Sequence, residues 1–353
     1  MDMQIEKQYE NNQHNKKRIF VSVVLITLLI SVFCLTLGTG ISFTDSLAII
    51  LNYITAHTFS EKDALAGKII IFLRLPRIFL AVLAGMGLAI SGMMMQSVTR
   101  NFLVSPFTLG VSSAAAFGAS ICIVFGSATI FFNDIFIIGS AFTSAMLSIF
   151  IVFIIAKKVG ASANSVILVG IALNYFFAAL TASLQFFAQE NKLAAVVQWT
   201  FGSLNRANWD AVIIIGAIII FCCTYSTTLL LKWNAIASGN DELSQSLGIN
   251  PEKLRVKTMF LAVLMTAVII SFTGVIGFVG LIAPHMSRLL IGNDHKFLLP
   301  MSGAIGAALL VLADAVGNFI LYPVNVPAGI VVSFLGVPIF IQLILNNRKR
   351  DLS

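Results

Sequence analysis

The sequence predicts an all-α polytopic membrane protein with about ten transmembrane helices, and three observations carry that prediction. Of its 353 residues, 58% are hydrophobic and only 10% are charged, against roughly 25% charged in a soluble domain. Apolar runs longer than about 18 residues recur from Ile19 to Leu345, the length a helix needs to cross a bilayer. Short polar connections join these runs, and no Pro/Ser-rich linker divides the chain, so a single membrane domain is expected.

Each run is expected to be helical because lipid offers no partner to backbone N–H and C=O groups, which a helix satisfies within itself. The candidate spans are 19–37, 70–96, 107–126, 130–156, 165–188, 211–231, 257–275, 278–291, 298–317 and 327–345. The first is too long for a signal-peptide core and reads as an uncleaved span after a polar tail, residues 1–18. Cys34 follows Ser31, Val32 and Phe33, a poor setting for lipid attachment. The eighth run is short, holds Pro284, His285 and Arg288, and follows Gly274, Gly277 and Gly280; a broken or half-crossing helix is expected there. Gly85, Gly87 and Gly92, and Gly303 and Gly306 with Ala304 and Ala308, set small residues at helical spacing and imply close packing.

With ten spans and the N-terminus inside, most of the 22 Lys and Arg fall on one side of the membrane. Only Lys62, Lys68, Arg74, Arg77, Lys192 and Arg206 fall on the other. By the positive-inside tendency both termini, residues 1–18 and 347–353, are cytoplasmic and the body is residues 19–346. The net charge of +7 therefore reads as a topology signal, and no nucleic-acid partner is expected.

The sequence lacks the residue patterns of several chemistries. Gly67-Lys68 is followed by Ile69, so no phosphate-cradling loop is present and the chain is not expected to bind ATP in that way. Paired-histidine zinc motifs and Gly-x-Ser-x-Gly elbows are absent. Cys34, Cys122, Cys222 and Cys223 lie in apolar runs without metal-ligand spacing. Hence no catalytic, cofactor-binding or metal residues are assigned. Asp314 is the one acidic residue deep in a span; such a residue is a functional candidate, but near its helix end it could instead bond the backbone of a neighbouring loop. Few buried groups could couple an ion, which disfavours a self-sufficient channel or secondary carrier.

Several motifs in order resemble one family. They are Arg74-Leu-Pro-Arg77, Gly85-Met-Gly-Leu-Ala-Ile-Ser-Gly92, Arg100-Asn-Phe-Leu103, Ser105-Pro-Phe-Thr-Leu-Gly-Val-Ser-Ser113, Trp199-Thr-Phe-Gly-Ser203, the run from Gly277 to Arg288, Leu312-Ala-Asp314 and Val326-Pro-Ala-Gly-Ile330. Together they resemble the FecCD family, permease subunits of importers for iron siderophores, haem and vitamin B12. The resemblance implies a type II ABC importer permease with ten helices, a second permease subunit, identical or related, and two ATPase subunits that use ATP. It further implies an extracytoplasmic substrate-binding protein and a location in the bacterial cytoplasmic membrane. Ferric siderophore is the expected cargo, with haem and vitamin B12 as alternatives.

Four sets of residues follow. In the polar segment 241–257, a short helix with Glu242 near its start suits the helix dipole, and Gly248 would end it in a left-handed conformation; the resemblance makes Glu242, Ser246, Leu247 and Gly248 the coupling contact with the ATPase. Arg74 and Arg77 lie on the side poor in positive charge, where the family docks its binding protein through charge pairs and where they could equally snorkel to headgroups; Asn318 stands where the family carries another arginine. The turns Asn101 to Leu103 and Ser162 to Asn164 match cytoplasmic gates, although such residues also suit plain turns. Gly170, Asn174, Phe177 and Thr181, continued by Gln185, form a mildly polar stripe at helical spacing that could line the translocation path or pack in the core.

Overall fold

A computed structural model describes residues 2–36, 43–56, 64–126, 133–159, 162–239, 241–321 and 324–350. Met1, Lys62 and residues 351–353 of the expected C-terminal tail lie outside the described residues. The described elements are helices throughout, and a helix stands at each expected span. Seven helices are long and apolar enough to cross a membrane, and Val111–Phe125, Val279–Ile291 and Ala328–Gln342 are shorter apolar helices. Among the described residues, seven of the ten expected spans are therefore long enough to cross, and the other three are shorter apolar helices.

The order is α1 (Asp2–Thr36), α2 (Phe43–Ala56), α3 (Ala64–Ile69), a π-helical turn Ile70–Arg74, α4 (Leu75–Thr99), a 3-10 turn Pro106–Leu109, α5 (Val111–Phe125), α6 (Asn133–Val159) and α7 (Ala163–Phe187). It continues with α8 (Glu190–Thr200), α9 (Trp209–Thr227), α10 (Leu230–Ser238), α11 (Asp241–Ser246), α12 (Pro251–Thr273), α13 (Val279–Ile291), α14 (His295–Phe319) and α15 (Ala328–Arg350). Two expected boundaries move. The sixth span ends at Thr227, where Thr228 and Leu229 turn the chain into α10. The seventh begins at Pro251, because Asn250 caps it by accepting from Lys253 N–H (3.0 Å) and Pro251 suits a first helical turn.

α4, α12 and α14 form the centre, with about 70% of their apolar windows buried against 11–33% for the other long spans. A Cβ on Gly85 would collide with the carbonyl of Gly306, and one on Gly92 with that of Gly280. Without side chains at these points, α4 lies backbone to backbone against α14 and α13, which is how helices gain dispersion contact where lipid removes the hydrophobic drive.

α13 has 13 residues, about 20 Å at 1.5 Å per residue, too short to cross roughly 30 Å of hydrocarbon. It is flanked by Gly274 at φ 72° and Gly292 at φ 84°, and Phe278 precedes it at φ 62°. The break at Gly274–Phe278 meets two others: Ser203 N–H donates to Thr273 O (2.7 Å) and Gly329 N–H to Gly202 O (3.2 Å). Chain interruptions inside a membrane protein persist where they satisfy one another or line a cavity, and both conditions hold here. A cavity of about 610 Å³ opens beside them, its wall including Phe107, Phe201, Val275, Phe278, Ile330 and Phe334.

Candidate functional site

The functional candidates lie at the two ends of α4 and along α7. At the end of the bundle where α4 stops, α11 is a six-residue helix starting with Asp241 and Glu242, whose carboxylates suit its N-terminal dipole. Gly248 follows at φ 76°, its N–H donating to Gln245 O (2.9 Å), and the space beside its Cα is open. Leu243 and Leu247 are about half exposed and Ser246 is exposed, so this segment presents apolar side chains away from the bundle.

Sequence reasoning did not find what holds α11 in place. Arg100 Nη2 donates to Asp241 Oδ1 (2.7 Å) and its Nε to Ile236 O (2.7 Å). Arg255, nearly buried, places Nη2 3.3 Å from Asp241 Oδ2 and donates from Nε to Val98 O (3.2 Å). Asp241 and Arg100 lie 141 positions apart, and only their opposite charges in two loops assigned to one side hint at the pairing.

The turn Asn101 to Leu103 follows directly. Asn101 Oδ1 accepts from Leu103 N–H (2.9 Å) and Asn101 O from Val104 N–H (3.3 Å), a local side-chain turn. Phe102 and Leu103 are about half exposed. In the second turn, Ser162 caps α7 by accepting from Ser165 N–H (3.1 Å), and Asn164 is exposed. Ser162 and Asn101 therefore do turn work in this structure.

Within this chain the stripe on α7 packs against α5 and its preceding turn. Gly170 lies against Leu109, Asn174 Oδ1 accepts from Ser113 Oγ, and Phe177 packs on Phe117 with ring centres 5.8 Å apart. Thr181 Oγ1 donates back to Phe177 O (2.9 Å). Mild polarity at helical spacing marks either a packing face or a wall, and here α5 and its preceding turn occupy that face. Leu168, Ile171, Tyr175, Phe176, Phe186 and Phe187 are exposed instead.

At the far end of α4, about 37 Å away along 25 residues, lie Arg74, Arg77 and Asp314. Among the described residues the Asp314 side chain is held by Arg77 and Asn318 and not by a loop backbone: its carboxylate accepts from Arg77 Nε (2.9 Å) and Nη2 (2.8 Å). Arg77 Nη2 also donates to Asn318 Oδ1 (2.9 Å), and Asn318 Nδ2 donates to Asp314 O (2.8 Å). Two donors on one carboxylate fix orientation as well as charge. Arg74 Nη1 donates to Leu35 O (2.7 Å) and lies 3.4 Å from Cys34 O, a cation at the C-terminal end of α1 where the helix dipole favours it. Both guanidiniums are engaged within the chain.

Comparison with known proteins agrees with this architecture. The model of the FecCD transport family matches residues 23–346. An ABC transporter permease protein of Methanocaldococcus jannaschii is 40% identical over 344 residues, covering 95% of this chain and 96% of the relative. An Fe(3+)-citrate import system permease of Bacillus subtilis is 33% identical, covering 97% and 99%. A hemin transport system permease of Yersinia pestis is 31% identical, covering 96% and 99%. Among solved structures, a metal-chelate type ABC transporter in an inward-facing conformation superposes with a TM-score of 0.82 at 29% identity, covering 94% of this chain and 99% of that one. A family match across nearly the whole chain, on a bundle of this shape, makes the chain an ABC permease of the FecCD transport family.

Proposed function

We propose that this chain forms part of the conduit through which a ferric chelate, in the first place a siderophore, crosses the cytoplasmic membrane by alternating access. Two ATPase subunits on the cytoplasmic side hydrolyse ATP, a second permease subunit completes the path, and an extracytoplasmic binding protein delivers cargo. Both termini and α11 are cytoplasmic. The observation that carries this reading is α11: a short helix with Ser246 and Leu247 exposed, ended by a left-handed Gly248 and tied to α4 and α12 by Asp241. Such a projection offers a separate motor protein a hold at the bundle end. The apolar cavity beside the three chain breaks supplies a smooth wall on which a large ligand finds few hydrogen-bonding groups, as passage without tight binding requires.

Haem is the second reading, supported by the hemin permease among the relatives; vitamin B12 stands on the family resemblance alone. Arg74 and Arg77 would mark the binding-protein face through the ion-paired end of α4, and the turns at Asn101–Leu103 and Ser162–Asn164 would close the cytoplasmic side. The deciding experiment reconstitutes the chain with its ATPase and binding protein in vesicles and follows uptake of radiolabelled ferric siderophore, haem and cobalamin. ATP-dependent uptake of the siderophore is expected. Transport by the chain alone, without an ATPase, would overturn the reading.

A further inference from the structure

Arg100 closes α4 in a left-handed conformation, φ 52° and ψ 31°, which a residue with a side chain adopts at a cost unless its surroundings hold it there. Two bonds do so, to Ile236 O and to Asp241 at the start of α11. Two residues later, Phe102 lies with its ring 4.7 Å from Arg288 Cζ and edge-on to His285 at 6.3 Å. Both partners belong to α13, and Arg288 Nη1 in turn donates to Gln96 Oε1 on α4. One short turn is therefore fastened at its beginning to α11 and at its tip to the half-length helix whose preceding residues Gly277 and Phe278 line the apolar cavity.

Neither fastening is core packing. The Asp241 side chain is 42% exposed and that of Arg100 31%, a setting in which ion pairs add little stability. Phe102 keeps 48% of its surface exposed, a poor position for a ring whose purpose is core filling. Their geometry is nonetheless specific, since short charge-assisted bonds fix direction and a guanidinium over a ring fixes a plane.

We propose that the turn Arg100–Leu103 transmits motion from the ATPase contact to the cavity: displacement of α11 is carried through Asp241 and Arg100 to the turn, and through Phe102 and Arg288 to α13. This inference rests on the reading of α11 as the ATPase contact and adds to it the positioning residues Arg100, Asp241, Phe102 and Arg288. In this role they act through α13, a role separate from closure of the path by the same turn.

The test uses the complete transporter in vesicles, measuring ATP hydrolysis and siderophore uptake on the same preparation. Asp241→Asn keeps the shape of the side chain and removes its charge, and Phe102→Leu keeps apolar bulk and removes the ring. Each variant is expected to assemble at normal yield and hydrolyse ATP near the wild-type rate, while cargo moved per ATP falls about fivefold or more, the lower range of typical coupling between sites. Unchanged cargo per ATP in Phe102→Leu would overturn the proposal, and so would an equal fall of hydrolysis and uptake, which a merely structural role produces, or a fall matched by passive efflux of preloaded cargo, which loss of closure by the turn produces. Should Asp241→Asn fail to assemble, Phe102→Leu decides alone. Should the wild-type complex itself show no ATP-dependent uptake, the assignment of α11 fails, an outcome distinct from wild-type transport with fully coupled variants.

Discussion

At one end of α4, Arg77 grips Asp314 with side chains 21% and 10% exposed; at the other, Arg100 meets Asp241 with side chains 31% and 42% exposed. The chemistry is the same, an arginine on a carboxylate at about 2.8 Å, but the surroundings differ. The first pair is shielded between α4 and α14 and its partners satisfy one another, so removing either leaves a charge where water is scarce. In the second, Arg100 can be solvated when its bond is broken while Asp241 keeps Arg255. The first end is built to stay, and the second is built to move at small cost.

Four measurements sharpen or break that contrast. The middle of α4 sets the upper limit: Gly92→Leu would drive a side chain into the Gly280 backbone and is expected to cost more than about 4 kcal/mol or abolish folding, read as loss of the monodisperse protein in detergent. Asp314→Asn comes next, at about 3 kcal/mol in mixed-micelle unfolding, since Arg77 keeps its charge and loses its counter-ion; a loss below about 1 kcal/mol would erase the distinction between the ends. Gly248→Val, at φ 76°, should cost about 1–2 kcal/mol from backbone strain alone, because nothing crowds the site. The smallest effect is that of Arg100→Gln, under about 1 kcal/mol, because Asp241 keeps Arg255 as its partner. Raising ionic strength from about 0.1 to about 1 M shortens the screening length from about 10 to about 3 Å, so salt should shrink the Arg100 effect and spare that of Asp314.

Much of the bundle was legible because hydrocarbon imposes one rule on every run of apolar residues, and the ten expected spans fall where helices occur. α2, α8 and α10 escaped notice because 14, 11 and 9 residues of mixed polarity resemble connecting loops. The half-length α13 was readable from Pro284 and the glycines before it. Partnerships were not: Arg77 and Asp314 stand 237 positions apart, and sequence spacing carries no trace of a contact made only after α4 and α14 pack. The partners of the α7 stripe were hidden for a related reason: Asn174 and Thr181 find hydrogen bonds within the protomer, and periodicity cannot tell which neighbour a helical face will meet.

The flanks of α13 carry a mechanical consequence. A rod of about 20 Å that begins at Phe278 with φ 62° and ends at Gly292 with φ 84° turns sharply at both ends, and it need not drag an anchor through the opposite headgroup layer. Because α4 meets it backbone to backbone at Gly92 and Gly280, any tilt of this stiff piece pivots about that contact, and the cavity wall is rearranged by a local shift at one helix seam.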